Sequence, residues 1–170
     1  MSNESFTEQA TERLARLRKR CADPGFRAAL RHWLSDAGRP RAYQALMDLR
    51  GTLDDEDFNT VAALYAYHPD HSDNGGTLGH LCRSLSAGLS TFEGRFKRLL
   101  LCDAEELRQR LQPVILAARA EGVPVDYRRL YLDLRSWDHD FYGDRVRKDW
   151  AQDFWGQAET PPAKPEEVPA

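Results

Sequence analysis

Apolar residues recur along this chain at steps of three and four, the spacing of one face of an α-helix. Phe6, Ala10, Leu14, Leu17 and Cys21 draw a first stripe, which "DPG" at 23–25 stops. Phe26, Leu30, Trp33 and Leu34 predict a second helix, ended by Gly38 and Pro40. Tyr43, Leu46, Met47 and Leu49 predict a third, ended by Gly51. In "TLDDEDF" at 52–58, acids stand at a helix start, where they complement the positive end of the macrodipole. Val61, Leu64 and Tyr65 follow as its core face.

The pattern breaks at 68–77 and restarts with Leu78, Leu81 and Leu85. Ser90 or Thr91 can cap the next helix, with Glu93 early in it and Phe92, Phe96, Leu99 and Leu100 as its buried face. A long helix begins near Asp103 and ends at Gly122 and Pro124. Pro113 inside it predicts a kink or a break, because proline has no N–H for the helical ladder. Asp126 opens a helix with Tyr127, Leu130, Tyr131, Leu134 and Trp137 inward, and Val146, Trp150 and Phe154 define the last.

No stretch alternates apolar and polar residues over the length of a strand, and no segment repeats. The expected fold is all-α: a compact bundle of eight or nine short helices around one core, a single domain over 1–157. The 68–77 loop offers a division into sub-bundles 1–68 and 77–157. The end of the chain, "ETPPAKPEEVPA", has four prolines and almost nothing to bury, so 158–170 reads as a disordered tail.

Composition narrows the class. Hydrophobic residues make up 41% and charged residues 30%, as in a soluble globular protein. No apolar run approaches the ~18–20 residues that cross a bilayer. The N-terminus is polar and acidic, unlike a secretory signal. Three cysteines with no C-x-x-C pair argue for reduced thiols in a cytosol over a disulfide framework. The expected location is cytoplasmic, without a membrane partner.

The net charge of −3 is unevenly distributed. Residues 1–50 hold 10 Lys/Arg against 6 Asp/Glu, and 83–148 hold 13 against 10. Residues 51–82 hold 6 acids and no Lys or Arg, and 149–170 hold 5 acids against 1 base. A near-neutral average therefore leaves room for a basic face, the electrostatic footprint of a polyanion partner. The competing reading is a solvated surface of scattered charges.

Candidate chemistry is sparse. "HPDHSDNGGTLGHLC" at 68–82 gathers His68, Asp70, His71, Asp73, His80 and Cys82. Zinc needs about four ligands converging tetrahedrally. No ligand signature is matched, and His80 and Cys82 fall on opposite sides of any helix there. An EF-hand loop starting at Asp70 would need Glu where Leu81 stands. The stretch reads as a solvated helix–helix loop with no metal and no cofactor. No nucleophile elbow or Walker-type phosphate loop occurs, and Asp138-His139-Asp140 reads as an exposed turn, so no enzymatic activity is expected. "LARLRKR" at 14–20 reads as a helix C-terminus favouring cations over a membrane-binding element.

The basic residues show more order. Arg27 and Arg31 are one helical turn apart; Arg95 and Arg98 flank the Phe92–Phe96–Leu99 stripe with Lys97 beside them. Arg128 and Arg135 share a face with Arg129 alongside, and Arg145, Arg147 and Lys148 precede Trp150. Cations on rigid helices are what a phosphate-tracking surface requires. Acids four residues away are placed to neutralise several of them.

At this point the order of segments resembles a known family. "RFKRLLLCDAEELRQRLQPVILAARAEGVPVDYRRLYLDLRSWD" followed by "VRKDWAQDFW" is similar to the small subunit of the type I-E CRISPR surveillance complex Cascade, the CasB family. "FRAALRHWL", "ALYAYHP" and "LGHLCRSL" fall upstream in the family's order, so the resemblance covers about residues 20–155. It implies an all-helical, non-catalytic subunit present as two copies, bridging backbone and large subunits. Its basic surface would help hold crRNA and single- or double-stranded target DNA and guide the displaced strand of the R-loop. The resemblance carries a nucleic-acid role first to Arg95 and Arg98, then to Arg27, Arg31 and Arg147; Lys97, Arg128, Arg129, Arg135 and Lys148 are added from helix phase and charge. The alternative is a helical protein–protein scaffold without direct nucleic-acid contact. The acidic 51–82 segment is expected to face away from nucleic acid, toward a basic protein neighbour.

Overall fold

Short polar side chains set most of the helix starts. A computed structural model describes residues 3–87 and 91–156 and contains, among them, nine α-helices. They are α1 (Asn3–Arg20), α2 (Pro24–Arg31), α3 (Tyr43–Arg50), α4 (Glu56–Tyr67), α5 (Leu78–Ser86), α6 (Thr91–Leu101), α7 (Ala104–Glu121), α8 (Tyr127–Ser136) and α9 (Tyr142–Trp155). Asp23, Asp55, Thr77, Asp103 and Asp126 stand just before α2, α4, α5, α7 and α8, and each side chain accepts an otherwise orphaned backbone N–H. Gly51 and Gly122 close α3 and α7 at φ of +69° and +66°, a left-handed turn that costs glycine nothing. Ser90 and the tail at 158–170 lie outside the described residues.

The all-α expectation holds. The buried apolar residues, from Ala10 on α1 to Phe154 on α9, form one cluster. Its centre is α4, where every residue from Phe58 to Ala66 is buried. A helix apolar all round must be enclosed, and α4 is covered by α2, α7 and α8. Its small Ala62, Ala63 and Ala66 let those neighbours approach. α5 packs tightly on α9: a Cβ at Gly79 would collide with the carbonyl oxygen of Trp150, so only glycine fits there.

Of the kink or break expected at Pro113, the break does not occur, for α7 runs through it; the expected extent of α2 and core face of α3 need correction. Pro113 and Gln109, whose carbonyl the missing N–H would have served, are both exposed, so water can satisfy that oxygen. Trp33 and Leu34 lie not in a continued α2 but in a 3-10 turn (His32–Leu34), with a second at Arg39–Ala42. Tyr43 and Met47 are exposed, because α3 turns Ala45, Leu46 and Leu49 inward.

The 68–77 connection is not a free solvated loop. His68 is buried, and its Nε2 lies 2.7 Å from the Val123 carbonyl. His71 pairs with Val125 in an isolated parallel bridge, with its side chain enclosed over Tyr127. The Tyr127 N–H donates to its Nδ1, so the proton resides on Nε2 and is donated to Asp73 at 2.8 Å. His68 and His71 pin the loop to the segment that enters α8.

Candidate nucleic-acid interface

The amphipathic stripe of α6 decides where its cations go. Phe92, Phe96 and Leu99 are buried; Phe96 stacks on Phe154 with centroids 4.2 Å apart and meets Trp155 edge-on at 5.2 Å. Both ends of α6 are tied to α9. Near one end Trp155 Nε1 donates to Glu93 at 2.9 Å; at the other Arg147 Nε donates to the Leu100 carbonyl at 3.2 Å. On this fixed helix Arg95, Lys97 and Arg98 are exposed. Lys97 is 3.7 Å from Glu93, a solvated pair of small net worth. Arg95 lies over the Phe92 ring at 5.9 Å. Neither arginine has an ion pair among the described residues.

The remaining candidates divide by what surrounds them. Arg147 points inward: it lies 4.3 Å over Trp137 and donates to the carbonyls of Leu100, Trp137 and Cys102 at 3.2, 2.8 and 3.2 Å. Those oxygens lie at and beyond the ends of α6 and α8, where partial negative charge accumulates. Arg31 donates to the Ala66 carbonyl at 3.1 Å and covers Tyr67, so it serves the C-terminus of α4. Arg129 joins Asp133 at 2.8 Å and Asp149 at 3.1 Å. Arg135 joins Asp55 at 3.3 Å and lies over Phe6 and Tyr131. Lys148 is exposed but held by Asp144 at 2.9 Å. Arg27 and Arg128 are half-buried without an ion pair among the described residues, and the Arg27 Nε is buried without a partner.

The acids of 51–82 explain part of this division. Asp55 accepts from the Tyr131 hydroxyl at 2.6 Å, pairs with Arg50 and Arg135 at 3.3 Å each, and has Arg13 at 3.9 Å. Asp57 pairs with Arg108 at 2.9 Å and Glu56 with Arg39 at 3.5 Å. These three carboxylates meet cations of their own chain, while Asp54, Asp70 and Asp73 of the same segment are exposed. Arg119 on α7 and Arg145 on α9 are exposed with no ion pair among the described residues. Arg145 belongs to the ridge before Trp150 but was not carried forward as a site residue, and Arg119 stands outside the ridges, so the three-dimensional inventory of acids is what brings both forward.

Among the described residues no three of His, Cys, Asp and Glu gather as metal ligands. His80 is exposed while Cys82 is wholly buried. Burial pushes the Cys21 thiol up to about 11 and the Cys82 thiol up to about 12, so both stay protonated at neutral pH. Among the described residues no helix is long and apolar enough to cross a membrane.

A family model for the CRISPR-associated protein Cse2 matches residues 13–155. The chain belongs to the Cse2 family. A Cse2 protein of Thermus thermophilus is 33% identical over 111 residues, which are 65% of this chain and 62% of that relative, so less than two thirds of the relative's length is spanned. A solved Cse2-family protein of Thermus thermophilus superposes with a TM-score of 0.73 at 28% identity, covering 92% of this chain and 100% of that one. CasB from Thermus thermophilus gives 0.71 at 27% identity, with 92% of this chain and 100% of that one covered. A chain of a CRISPR RNA-guided surveillance complex shares the fold at a TM-score of 0.69 and 23% identity, over 88% of this chain and 92% of that one. The CasB resemblance read from the residues is thus borne out. All ten candidate cations fall inside the span that the Cse2 model matches.

Proposed function

We propose that this Cse2-family chain is the non-catalytic small subunit of a type I-E Cascade surveillance complex in the cytoplasm. It assembles with the backbone and large subunits and with a second copy of itself. Its α6 cations hold the backbone of crRNA, of target DNA and of the displaced strand, while base pairing between guide and target reads the sequence. The observation that carries this reading is the pair Arg95 and Arg98: exposed, one turn apart, fixed on a packed helix and without an ion pair among the described residues. A displaced strand has to be held whatever its sequence, and a row of cations does that without touching base edges.

The test is single-stranded DNA binding by the isolated chain at low salt. Arg95→Ala with Arg98→Ala is expected to weaken binding about tenfold or more while helicity and entry into the complex are unchanged. Loss of assembly with unchanged DNA affinity would assign these arginines to a protein interface. The scaffold reading draws on a different observation: Arg31, Arg129, Arg135 and Arg147 are all engaged by internal acids or carbonyls. It requires that wild type and double variant both ignore DNA at low salt.

A further inference from the structure

The end of the molecule where α6 gives way to α7 and α8 to α9 exposes apolar side chains that phosphate binding leaves unused. Leu101 is 86% exposed, Phe141 76% and Tyr142 52%. The two turns that carry them are joined. Trp137 Nε1 donates to the Cys102 carbonyl at 2.8 Å, the Ala104 N–H donates to the Asp138 carboxylate at 3.0 Å, and Arg147 bonds the carbonyls of both Cys102 and Trp137. His139 Nδ1 accepts the N–H groups of Phe141 and Tyr142, and the two rings meet at 86° with centroids 5.2 Å apart. A single exposed leucine needs no explanation. An exposed leucine and two exposed aromatics at the ends of two turns stitched to each other make a patch of the kind that marks an interaction site.

The charges around the patch select its partner. Asp103, Glu105, Asp138, Asp140 and Asp144 are exposed on these two turns and the first turns of α7 and α9 that follow them; Asp138 has Arg147 at 4.0 Å and Asp144 has Lys148, which leaves Asp103, Glu105 and Asp140 without a cation among the described residues. Of the cations nearby, Arg147 is drawn inward and Lys148 is held by Asp144, which leaves Arg145 on α9 and Arg98, one turn back on α6. A rim this acidic repels a phosphate backbone and attracts lysine and arginine. We propose that Leu101, Phe141 and Tyr142 form a docking site for a protein surface that presents an apolar side chain flanked by basic residues. This rests on the small-subunit reading above: the site would fix the chain in its complex while α6 remains free for the strand. Apolar anchors inside a charged rim are how interfaces concentrate affinity and steer approach.

The test uses the full chain co-expressed with the backbone and large subunits of its complex, and the isolated chain with single-stranded DNA. Leu101→Ser with Phe141→Ser removes the apolar pair; serine at 141 suits the position before α9, so the fold should persist with an unchanged melting temperature. This variant is expected to enter the complex at least about tenfold more weakly, with DNA affinity within about twofold of wild type. Asp140→Lys is expected to weaken assembly less, by an amount that shrinks as salt rises. Normal assembly of the double variant would overturn the proposal. So would a loss of DNA affinity instead, which would make the rings a base-stacking platform, or an effect confined to self-association, which would make the partner a second copy. Failure of the wild-type chain to enter the complex would overturn the small-subunit reading itself, a distinguishable result.

Discussion

Asp133 is buried on α8 and ties that helix to α9 through one carboxylate. It accepts from Trp150 Nε1 at 2.7 Å and from Arg129 at 2.8 Å, and Arg129 reaches on to Asp149. Burial raises its carboxyl above the ordinary value of 3.8, with Arg129 opposing. The folded state therefore binds this proton more tightly than the unfolded chain does. Its contribution to stability is fully present below the ordinary value and is lost as pH rises through the elevated folded value. Asp133→Asn keeps an acceptor for Trp150 and removes that titration. Urea midpoints taken at stepped pH should show the variant gaining on wild type as pH rises through this window; parallel curves would contradict the argument. Trp150 itself is fully buried, 4.7 Å from Trp137 between ring centroids, and its truncation to Ala should cost about 3–5 kcal/mol in urea denaturation.

The helices α5, α6 and α9 pose separable tests of packing and charge. Gly79→Ala forces a methyl group into the Trp150 carbonyl where α5 crosses α9, and overpacking of this kind costs roughly 1–3 kcal/mol. Gly94 on α6 is exposed with open space around it, so Gly94→Ala should stabilise by about 0.5–1 kcal/mol. At roughly 2–4 °C per kcal/mol for a chain of this size, thermal melting should move in opposite directions for the two variants. Arg147→Ala strips charged donors from three carbonyls and should cost roughly 2–3 kcal/mol while leaving DNA affinity within about twofold. The reverse pattern would return Arg147 to the nucleic-acid surface.

For the whole molecule, the number of cations that meet the strand sets the strength of binding. Contacts from Arg95, Lys97 and Arg98 alone predict a log–log salt slope of roughly −2 for single strands and weak affinity in isolation. A tenfold increase in salt should then weaken binding about a hundredfold, measurable by fluorescence anisotropy. A slope near zero would exclude phosphate contacts as the source of binding. Inside an assembly the same contacts gain from tethering, which supplies effective concentration without new interactions.

The helices and their caps were legible in the sequence because both are local. A stripe such as Phe92–Phe96–Leu99 and a capping residue such as Asp103 or Asp126 act within one or two turns of the chain. The amphipathic contrast that buries those phenylalanines also turns Arg95, Lys97 and Arg98 outward, so these cations were readable too. The fate of the other basic residues was not. Arg135 and Asp55 are 80 positions apart, Arg108 and Asp57 are 51 apart, and Arg147 reaches a carbonyl 47 residues away. The charge of an arginine is written at its own position, but whether that charge is free depends on which acids and helix ends approach it through space. Helical phase and burial follow from neighbours in the chain, whereas neutralisation follows from how the helices pack. Only the tertiary structure could separate the α6 cations from those that hold the bundle together.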